Sequence, residues 1–254
     1  MKNTMQSKPN VRYIQGNASV VPMRAPQFQC RACSCRELCA PRGLNGEEIK
    51  QFEALVESPL HLTKYQVLYR AGDLFHALYA IRVGSLKTSV LAEDGREQVA
   101  GNHIMGEIIG LDGIADEAHG CQAVALEESE VCVLPFAALE TLARSVPALQ
   151  HNLYQLLSRE VGRDHNLMLQ LGSTRAEGRL ADFLLNLSER YRQRGYSANE
   201  FVLRMTREEI GSHLGLTLET VSRLFSRFQA AGVLQVQGRD VKLLDLQALK
   251  DLAG

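Results

Sequence analysis

Residues 205–245, MTREEIGSHLGLTLETVSRLFSRFQAAGVLQVQGRDVKLLD, decide the fold of the C-terminal part of the chain. Thr206 and Glu209 have the spacing of a capping box, which begins a short helix. Gly215 supplies the positive φ that a tight turn between two helices requires, and Thr217 can cap the second helix. Two short helices joined by such a turn form a helix-turn-helix. The alternating residues of the last third predict a β-hairpin, so we expect a winged helix-turn-helix.

The second helix carries polar side chains on one face. Glu219, Ser222 and Arg223 are spaced three and four residues apart, so they project together near the helix N-terminus. Such side chains read base edges when a helix enters the major groove. Arg227 and Arg239 are candidates for phosphate contacts. An ordinary solvated face with a weak Glu–Arg pair is the alternative, but the caps, turn and hairpin together favour DNA binding.

The whole chain has the composition of an average globular protein. Its 254 residues are 45% hydrophobic and 22% charged, with a net charge of −1. Residues 51–171 hold 16 Asp and Glu against 8 Lys and Arg, so the middle is acidic and unlike a uniformly basic nucleic-acid coat. We find neither an apolar run of about 18 residues that could span a membrane nor a secretory signal. We therefore expect a cytoplasmic protein without a membrane partner.

The middle of the chain changes from a strand pattern to a helix pattern. Residues 62–135 combine alternating apolar residues with turn signals, which predicts a β-sandwich or β-roll; a loop-rich region is the alternative. Residues 136–171 have helical periodicity, and a single helix of that length would extend about 54 Å. Its apolar seam has heptad spacing, with one charged member. The predicted seam consists of Leu157, Val161, Asp164, Met168 and Leu171.

A long helix with such a seam is expected to pair with its copy in a second chain. Two copies of Asp164 would then face each other, and their repulsion would oppose pairing; a solvated position at the edge of the seam is the alternative. The predicted organisation is α+β, with four parts. These are a flexible arm (1–29), a cysteine segment and β-roll sensor domain (30–135), a dimerisation helix (136–171) and a winged helix-turn-helix domain (172–254).

Four of the six cysteines are clustered in CRACSCRELC, residues 30–39. In a reducing compartment such clustering indicates a metal or redox site rather than structural disulfides. Cys30, Cys33 and Cys39 supply three soft ligands, and Cys121 or Cys132 could supply a fourth. One Cys-x2-Cys pair with a distant fourth cysteine favours an iron–sulfur cluster, but zinc and free thiols remain alternatives.

These residues resemble a known family. CRACSCRELC, LYAIRVGSLK, ALEESEVCVLPF, EGRLADFLLNLSERYRQRG and the 205–229 segment recur, in this order, in the oxygen-responsive regulators of the FNR/Anr group. That group lies within the cyclic AMP receptor protein (CRP/FNR) superfamily, whose sensor domain is a β-roll of the cyclic-nucleotide-binding type. The resemblance runs from about Cys30 to the C-terminus.

The resemblance implies a specific function. An oxygen-labile [4Fe–4S] cluster would be bound by Cys30, Cys33, Cys39 and Cys132, because Cys132 lies in the VCVLPF match. Cys35 and Cys121 have no counterparts among the ligands of the family. Loaded with the cluster, the chain would form a homodimer that binds a palindrome like TTGAT-N4-ATCAA and contacts RNA polymerase, with bases read by Glu219, Ser222 and Arg223.

Other classes of function are disfavoured. The superfamily also binds cyclic nucleotides, but no Lys or Arg lies between Arg96 and Arg144 to neutralise a phosphate near Gly106 and Glu107. We therefore interpret Gly106-Glu107 as a turn of the β-roll. The chain lacks a Gly-rich phosphate loop and a nucleophile elbow, so we do not expect an enzyme. An iron–sulfur electron-transfer protein would have no use for a winged helix-turn-helix.

Overall fold

The structure is a computed structural model that describes residues 29–91, 95 and 97–253. The arm predicted over residues 1–29 therefore lies outside the described residues, apart from Gln29. The predicted β-roll is present as two antiparallel four-stranded sheets, ordered β1-β8-β3-β6 and β2-β7-β4-β5. Its strands are β1 (Leu60–Leu62), β2 (Val67–Tyr69), β3 (Ala77–Val83), β4 (Ser85–Leu91), β5 (Glu97–Ile104), β6 (Ile108–Ile109), β7 (Gln122–Ala125) and β8 (Ser129–Pro135).

Residues of both sheets form one buried cluster between them. Ile81 on β3, Leu86 on β4 and Val131 on β8 belong to this cluster and are almost fully buried. The turn between β5 and β6 contains Gly106 and Glu107, so the interpretation of this pair as a β-roll turn is confirmed.

The cysteine segment consists of two short 3-10 turns, Cys30–Ala32 and Arg36–Leu38, packed against one side of the roll. It leads into α1 (Gly46–Leu55). Asn45 caps this helix, since its side chain accepts hydrogen bonds from the backbone N–H groups of Glu47 and Glu48 at 3.0 Å. The cap fixes where the segment ends.

The prediction of a single helix over residues 136–171 is wrong. The structure has two helices there, α2 (Phe136–Ser145) and α3 (Pro147–Ser173). Val146 between them is extended, with φ −121° and ψ 93°. A residue that precedes proline is disfavoured in the helical region, and Pro147 is suited to begin a helix at its first position. The break lets α2 pack on the roll while α3 extends past it.

The C-terminal domain begins with α4 (Ala176–Gln193) and contains the predicted winged helix-turn-helix. Its other elements are β9 (Glu200–Val202), α5 (Arg207–Leu214), α6 (Leu218–Ala230), β10 (Leu234–Gln237), β11 (Asp240–Leu243) and α7 (Leu246–Ala253). The hairpin β10–β11 is extended by β9 into a three-stranded antiparallel sheet. Strand β9 and helix α7 are not predicted by the sequence pattern.

The C-terminal domain packs directly against the β-roll. Val99 of β5 and Leu126 are buried in the same hydrophobic cluster as the core of the C-terminal domain. The Ser212 hydroxyl on α5 accepts a hydrogen bond from Val99 N at 2.9 Å and donates one to Glu97 O at 3.0 Å. Lys87 on β4 forms an ion pair with Glu209 on α5 at 3.0 Å. Among the described residues, no helix is long and apolar enough to cross a membrane.

Candidate functional site

One pocket gathers cysteines from two distant parts of the chain. Cys132 lies on β8, in the middle of the roll, and it faces the segment that carries the N-terminal cysteines. The four predicted ligands and one further cysteine line the pocket together: Cys30, Cys33, Cys35, Cys39 and Cys132. Its walls are completed by apolar side chains, among them Phe52 of α1 and Leu134 of β8. The fold therefore brings the four predicted ligands together.

Cys121 occupies a different place. Its thiol is buried within the roll and donates a hydrogen bond to Asp112 Oδ2 at 3.4 Å. Cys35, by contrast, lines the pocket, and its thiol donates to Arg82 O at 3.7 Å. The sequence predicts neither Cys35 nor Cys121 as a ligand, and the structure places the two in different surroundings.

The pocket disfavours the ionised form of most of the thiols that line it. Burial, reinforced by the neighbouring cysteines, raises the pKa of Cys30 above its usual range. Burial also raises the pKa of Cys39 and of Cys132 to about 12. Cys33 differs, because a hydrogen bond with Cys35 lowers its pKa to about 6. Several thiols held close together away from water therefore need a cationic group before they ionise together.

The four predicted ligands are a donor set that fits an iron–sulfur cluster, which takes four thiolates. A tetrahedral zinc site needs its sulfurs about 2.3 Å from a common centre, whereas a [4Fe–4S] cluster binds each thiolate at a separate iron. Arg36 and Arg82 also line the pocket, and their positive charges suit a cluster that is net negative with four thiolates.

The cysteine segment is tied to the long helix by one side chain. Asn152 on α3 donates hydrogen bonds from Nδ2 to Ala40 O at 2.9 Å and to Arg42 O at 2.7 Å. These carbonyls belong to the first and the third residue after Cys39. One amide group of α3 therefore holds two backbone positions of the segment.

The predicted seam on α3 is largely open to solvent in the single chain. Val161 and Met168 expose 53% and 61% of their surface, and Leu157 and Leu171 are exposed to 40% and 38%. Asp164 is also exposed. An apolar stripe of this length on one helix is unusual for a surface without a partner. The placement agrees with the prediction of pairing but does not test it.

The helix-turn-helix geometry follows from its caps and two glycines. The Thr206 hydroxyl accepts a hydrogen bond from Glu209 N at 3.1 Å, and the Glu209 carboxylate accepts one from Thr206 N at 2.7 Å. Gly215 has φ +61°, as the sequence predicted. Gly211 was not singled out from sequence: a Cβ there would lie 2.7 Å from Leu216 O, so the backbone of the turn passes too close to α5 for a side chain.

The face predicted to read bases points away from the core. Glu219 and Arg223 are exposed on α6 and Ser222 is half-buried, while Val221 and Leu224 hold the opposite face in the core. The Arg223 guanidinium donates a hydrogen bond of 3.3 Å to Thr220 Oγ1 within its own helix. Glu219 and Arg223 are therefore open to solvent and available to a ligand.

The two predicted phosphate contacts differ in their surroundings. Arg239 is exposed at the tip of the hairpin and donates to Arg204 O at 3.0 Å. Arg227 forms an ion pair with Glu177 on α4, which occupies part of its hydrogen-bonding capacity. We therefore expect Arg239 to be the more available of the two for a phosphate.

The fold and these surfaces define a class of protein: a β-roll sensor domain joined by a long helix to a winged helix-turn-helix that binds DNA. Family models agree, since residues 178–252 match the Crp-like helix-turn-helix domain and residues 59–145 match the cyclic nucleotide-binding domain. The solved structure of FixK2 from Bradyrhizobium japonicum is similar, with a TM-score of 0.72 and 29% sequence identity. The match covers 78% of this chain and 97% of that one.

Curated relatives narrow the class. The chain is 45% identical over 234 residues to the transcriptional regulatory protein btr of Bordetella pertussis, a match that covers 92% of this chain and 97% of the relative. It is 43% identical over 227 residues to the fumarate and nitrate reduction regulatory protein of Escherichia coli, covering 89% and 91%. The chain belongs to the FNR/Anr group of the CRP/FNR superfamily. It is a DNA-binding transcription regulator and not an enzyme, as expected.

Proposed function

We propose that this regulator senses oxygen through a [4Fe–4S] cluster and controls the response to anaerobic conditions. The cluster would be held by Cys30, Cys33, Cys39 and Cys132. The observation that carries the proposal is the position of Cys132, which a strand of the roll delivers into the pocket of the N-terminal cysteines. Relatives support it, since a protein of Haemophilus influenzae that is 41% identical over 254 residues is named anaerobic regulatory protein.

The residues around the pocket support a route by which its state would reach the dimer seam. Bound in the pocket, the cluster would supply an oxygen-labile centre that fixes four thiolates in one arrangement. The segment after Cys39 would then present its carbonyls to Asn152 and set the position of α3. The exposed stripe of α3 would pair with its copy in a second chain, against the repulsion of the two Asp164 carboxylates.

The dimer would present two recognition helices to a palindrome like TTGAT-N4-ATCAA. Arg223 would bind guanine, Glu219 would accept from cytosine, and Ser222 would contact either edge. Arg239 on each hairpin would bind a phosphate and fix the register. The protein would act in the cytoplasm with RNA polymerase as its second partner.

The test is anaerobic purification, with an absorbance spectrum and analysis of iron and sulfide. We expect about four irons per chain, the number in one cubane cluster. Cys132→Ser is expected to lose them, because a hydroxyl is a poor replacement for a soft thiolate. Cys121→Ser is the matched control, since that buried thiol bonds Asp112 outside the pocket. Normal iron in Cys132→Ser, with loss in Cys121→Ser, would reverse the assignment of the fourth ligand.

Cys35→Ser addresses the fifth thiol of the pocket. It is expected to retain most of the iron, because the other four cysteines complete the ligand set. Loss of iron in Cys35→Ser, with retention in Cys33→Ser, would show that Cys35 is the ligand instead. The absence of iron and sulfide from the wild-type protein under strict anaerobiosis would refute the cluster altogether.

A further inference from the structure

A buried carboxylate joins the β-roll to the C-terminal domain. Glu107, in the β5–β6 turn, is only 7% exposed. Its oxygens accept hydrogen bonds from Arg190 Nε at 3.0 Å, Arg190 Nη2 at 2.7 Å and Arg194 Nη2 at 2.9 Å. Arg163 of α3 approaches within 3.4 Å. One side chain of the roll therefore binds arginines from both the long helix and the C-terminal domain.

The two arginines of α4 are held by the backbone of the roll as well. Arg190 Nη2 donates to Asn102 O at 2.7 Å, and Arg194 Nε donates to Met105 O at 2.5 Å. The Arg194 side chain is 5% exposed and that of Arg190 is 15% exposed. Guanidinium groups with a planar fork fixed at several points allow little rotation. The C-terminal end of α4 is therefore fixed in orientation on the β5–β6 turn.

The opposite side of the same turn contacts the cysteine segment. Gly106 has φ +85°, and a Cβ at this position would lie 3.0 Å from the Cβ of Leu38 and 3.7 Å from the Cβ of Cys35. The turn therefore lies between the cysteine segment and α4. A cavity lined by Leu38, Gly106, Glu107 and Arg194 adjoins the contact, so a shift of Leu38 changes the surroundings of Glu107 directly.

The orientation fixed by this turn leaves the base-reading face available. Glu219 and Arg223 remain exposed while α4 is bound to the roll. In a dimer, the distance between two recognition helices depends on how each C-terminal domain sits on its own roll, and binding to a palindrome depends on that distance. A rigid contact at Glu107 therefore favours specific binding over binding to random DNA.

We propose that Glu107 is a positioning residue, which orients the DNA-binding domain through Arg190 and Arg194 and transmits to it the state of the cysteine segment. The orienting role rests on the contacts alone, whereas the transmission rests on the proposed cluster site. This route lies within one chain, so it acts in addition to pairing of α3.

The experiment compares Glu107→Gln with Glu189→Gln, in the full-length protein with and without its reconstituted cluster. Glu189 is a matched control on α4, the helix that contains Arg190, because it is exposed and pairs with Arg192 at 2.7 Å. Hydrogen exchange is followed in peptides covering residues 102–109 and 186–195. DNA affinity is measured on the palindrome and on random DNA, together with iron content and sedimentation.

In the wild type we expect cluster loading to slow exchange in both peptides. Glu107→Gln is expected to exchange about tenfold faster there with or without the cluster, and to bind the palindrome about tenfold more weakly, because a buried ion pair loses one partner. Iron content, dimerisation and affinity for random DNA are expected to stay unchanged. Glu189→Gln should match the wild type in every measurement.

Arg190→Gln provides the second variant, since it removes the two-point contact while Glu107 keeps Arg194 as a partner. It should reproduce the weaker palindrome binding if Glu107→Gln fails to fold. Unchanged exchange and palindrome affinity in both folded variants would overturn the orienting role. If the wild type holds its iron but hydrogen exchange does not change when the cluster is loaded, the proposed transmission from the cysteine segment to α4 is overturned. A wild type without iron would instead refute the proposed function, and the orienting role would still be decided by the variants.

Discussion

Replacing Arg223 by alanine should separate base reading from attraction to phosphate. The side chain is exposed and bonded only to Thr220 within its own turn, while Val221 and Leu224 anchor the helix, so truncation should leave the fold intact. Loss of a bidentate contact to guanine costs about 1–3 kcal/mol per half-site. A dimer on a palindrome loses it twice, at well-separated places, so about 2–6 kcal/mol is expected. That range weakens binding by between about 30-fold and about 10⁴-fold.

The assay is fluorescence anisotropy with the reconstituted protein, using a labelled palindrome and a scrambled sequence of equal length at several salt concentrations. Arg223→Ala should weaken the palindrome alone. Arg239→Ala, the comparison, removes a phosphate contact, so it should weaken both sequences alike and reduce the salt slope by about one per protomer. If Arg223→Ala weakens both sequences equally, α6 does not read bases through this side chain.

Three further predictions concern the coupling between the domains. Asp164→Ala should dimerise in air without the cluster, because two facing carboxylates about 4 Å apart repel by about 1–4 kcal/mol; sedimentation unchanged from wild type would exclude that role. Asn152→Ala should keep its iron but show no rise in dimerisation on loading, and a normal rise would mean that the segment reaches α3 by other contacts. The third prediction concerns Glu107. Burial raises the pKa of its carboxyl group, but Arg190, Arg163 and Arg194 outweigh burial and lower the pKa to about 2, below the ordinary 4.5. This carboxylate therefore adds stability above pH 4.5 that is lost as the pH falls toward 2. Glu107→Gln apo-protein should therefore show a flatter acid branch in its unfolding free energy, and an equally steep branch would contradict this.

Local rules were sufficient to predict the helix-turn-helix and the hairpin that follows it. Thr206, Gly215 and Thr217 act within a few residues of their own position, so their capping and turn chemistry can be read without tertiary information. The β-roll was predictable for a similar reason, since alternation along a strand records which face is buried. The base-reading face followed from helical spacing alone, although its role depends on a ligand.

Features that depend on contacts between distant segments were not predictable in the same way. The position of Cys35 in the pocket depends on a backbone turn that no periodicity marks. Glu107 was interpreted only as part of a turn, because its arginine partners lie more than fifty residues away along the chain. The break before Pro147 is different, because the proline rule alone predicts it. The apolar periodicity that continues across residues 136–171 led instead to the prediction of a single helix.

The cysteine segment is suited to control both dimerisation and the orientation of the recognition helix, because it has little regular secondary structure of its own. Its only helical elements are two turns of three residues each, which cannot hold a fixed conformation by backbone hydrogen bonds alone. It is retained by side chains of the surrounding domain, such as Asn152 on α3, and it rests on Gly106 of the turn that binds α4. A segment of low local stability opens before the β-roll or the helix-turn-helix does. Release of four thiolates would therefore loosen the contacts to α3 and to α4 together while both folded domains persist, so dimerisation and the orientation of the recognition helix should be lost in the same step.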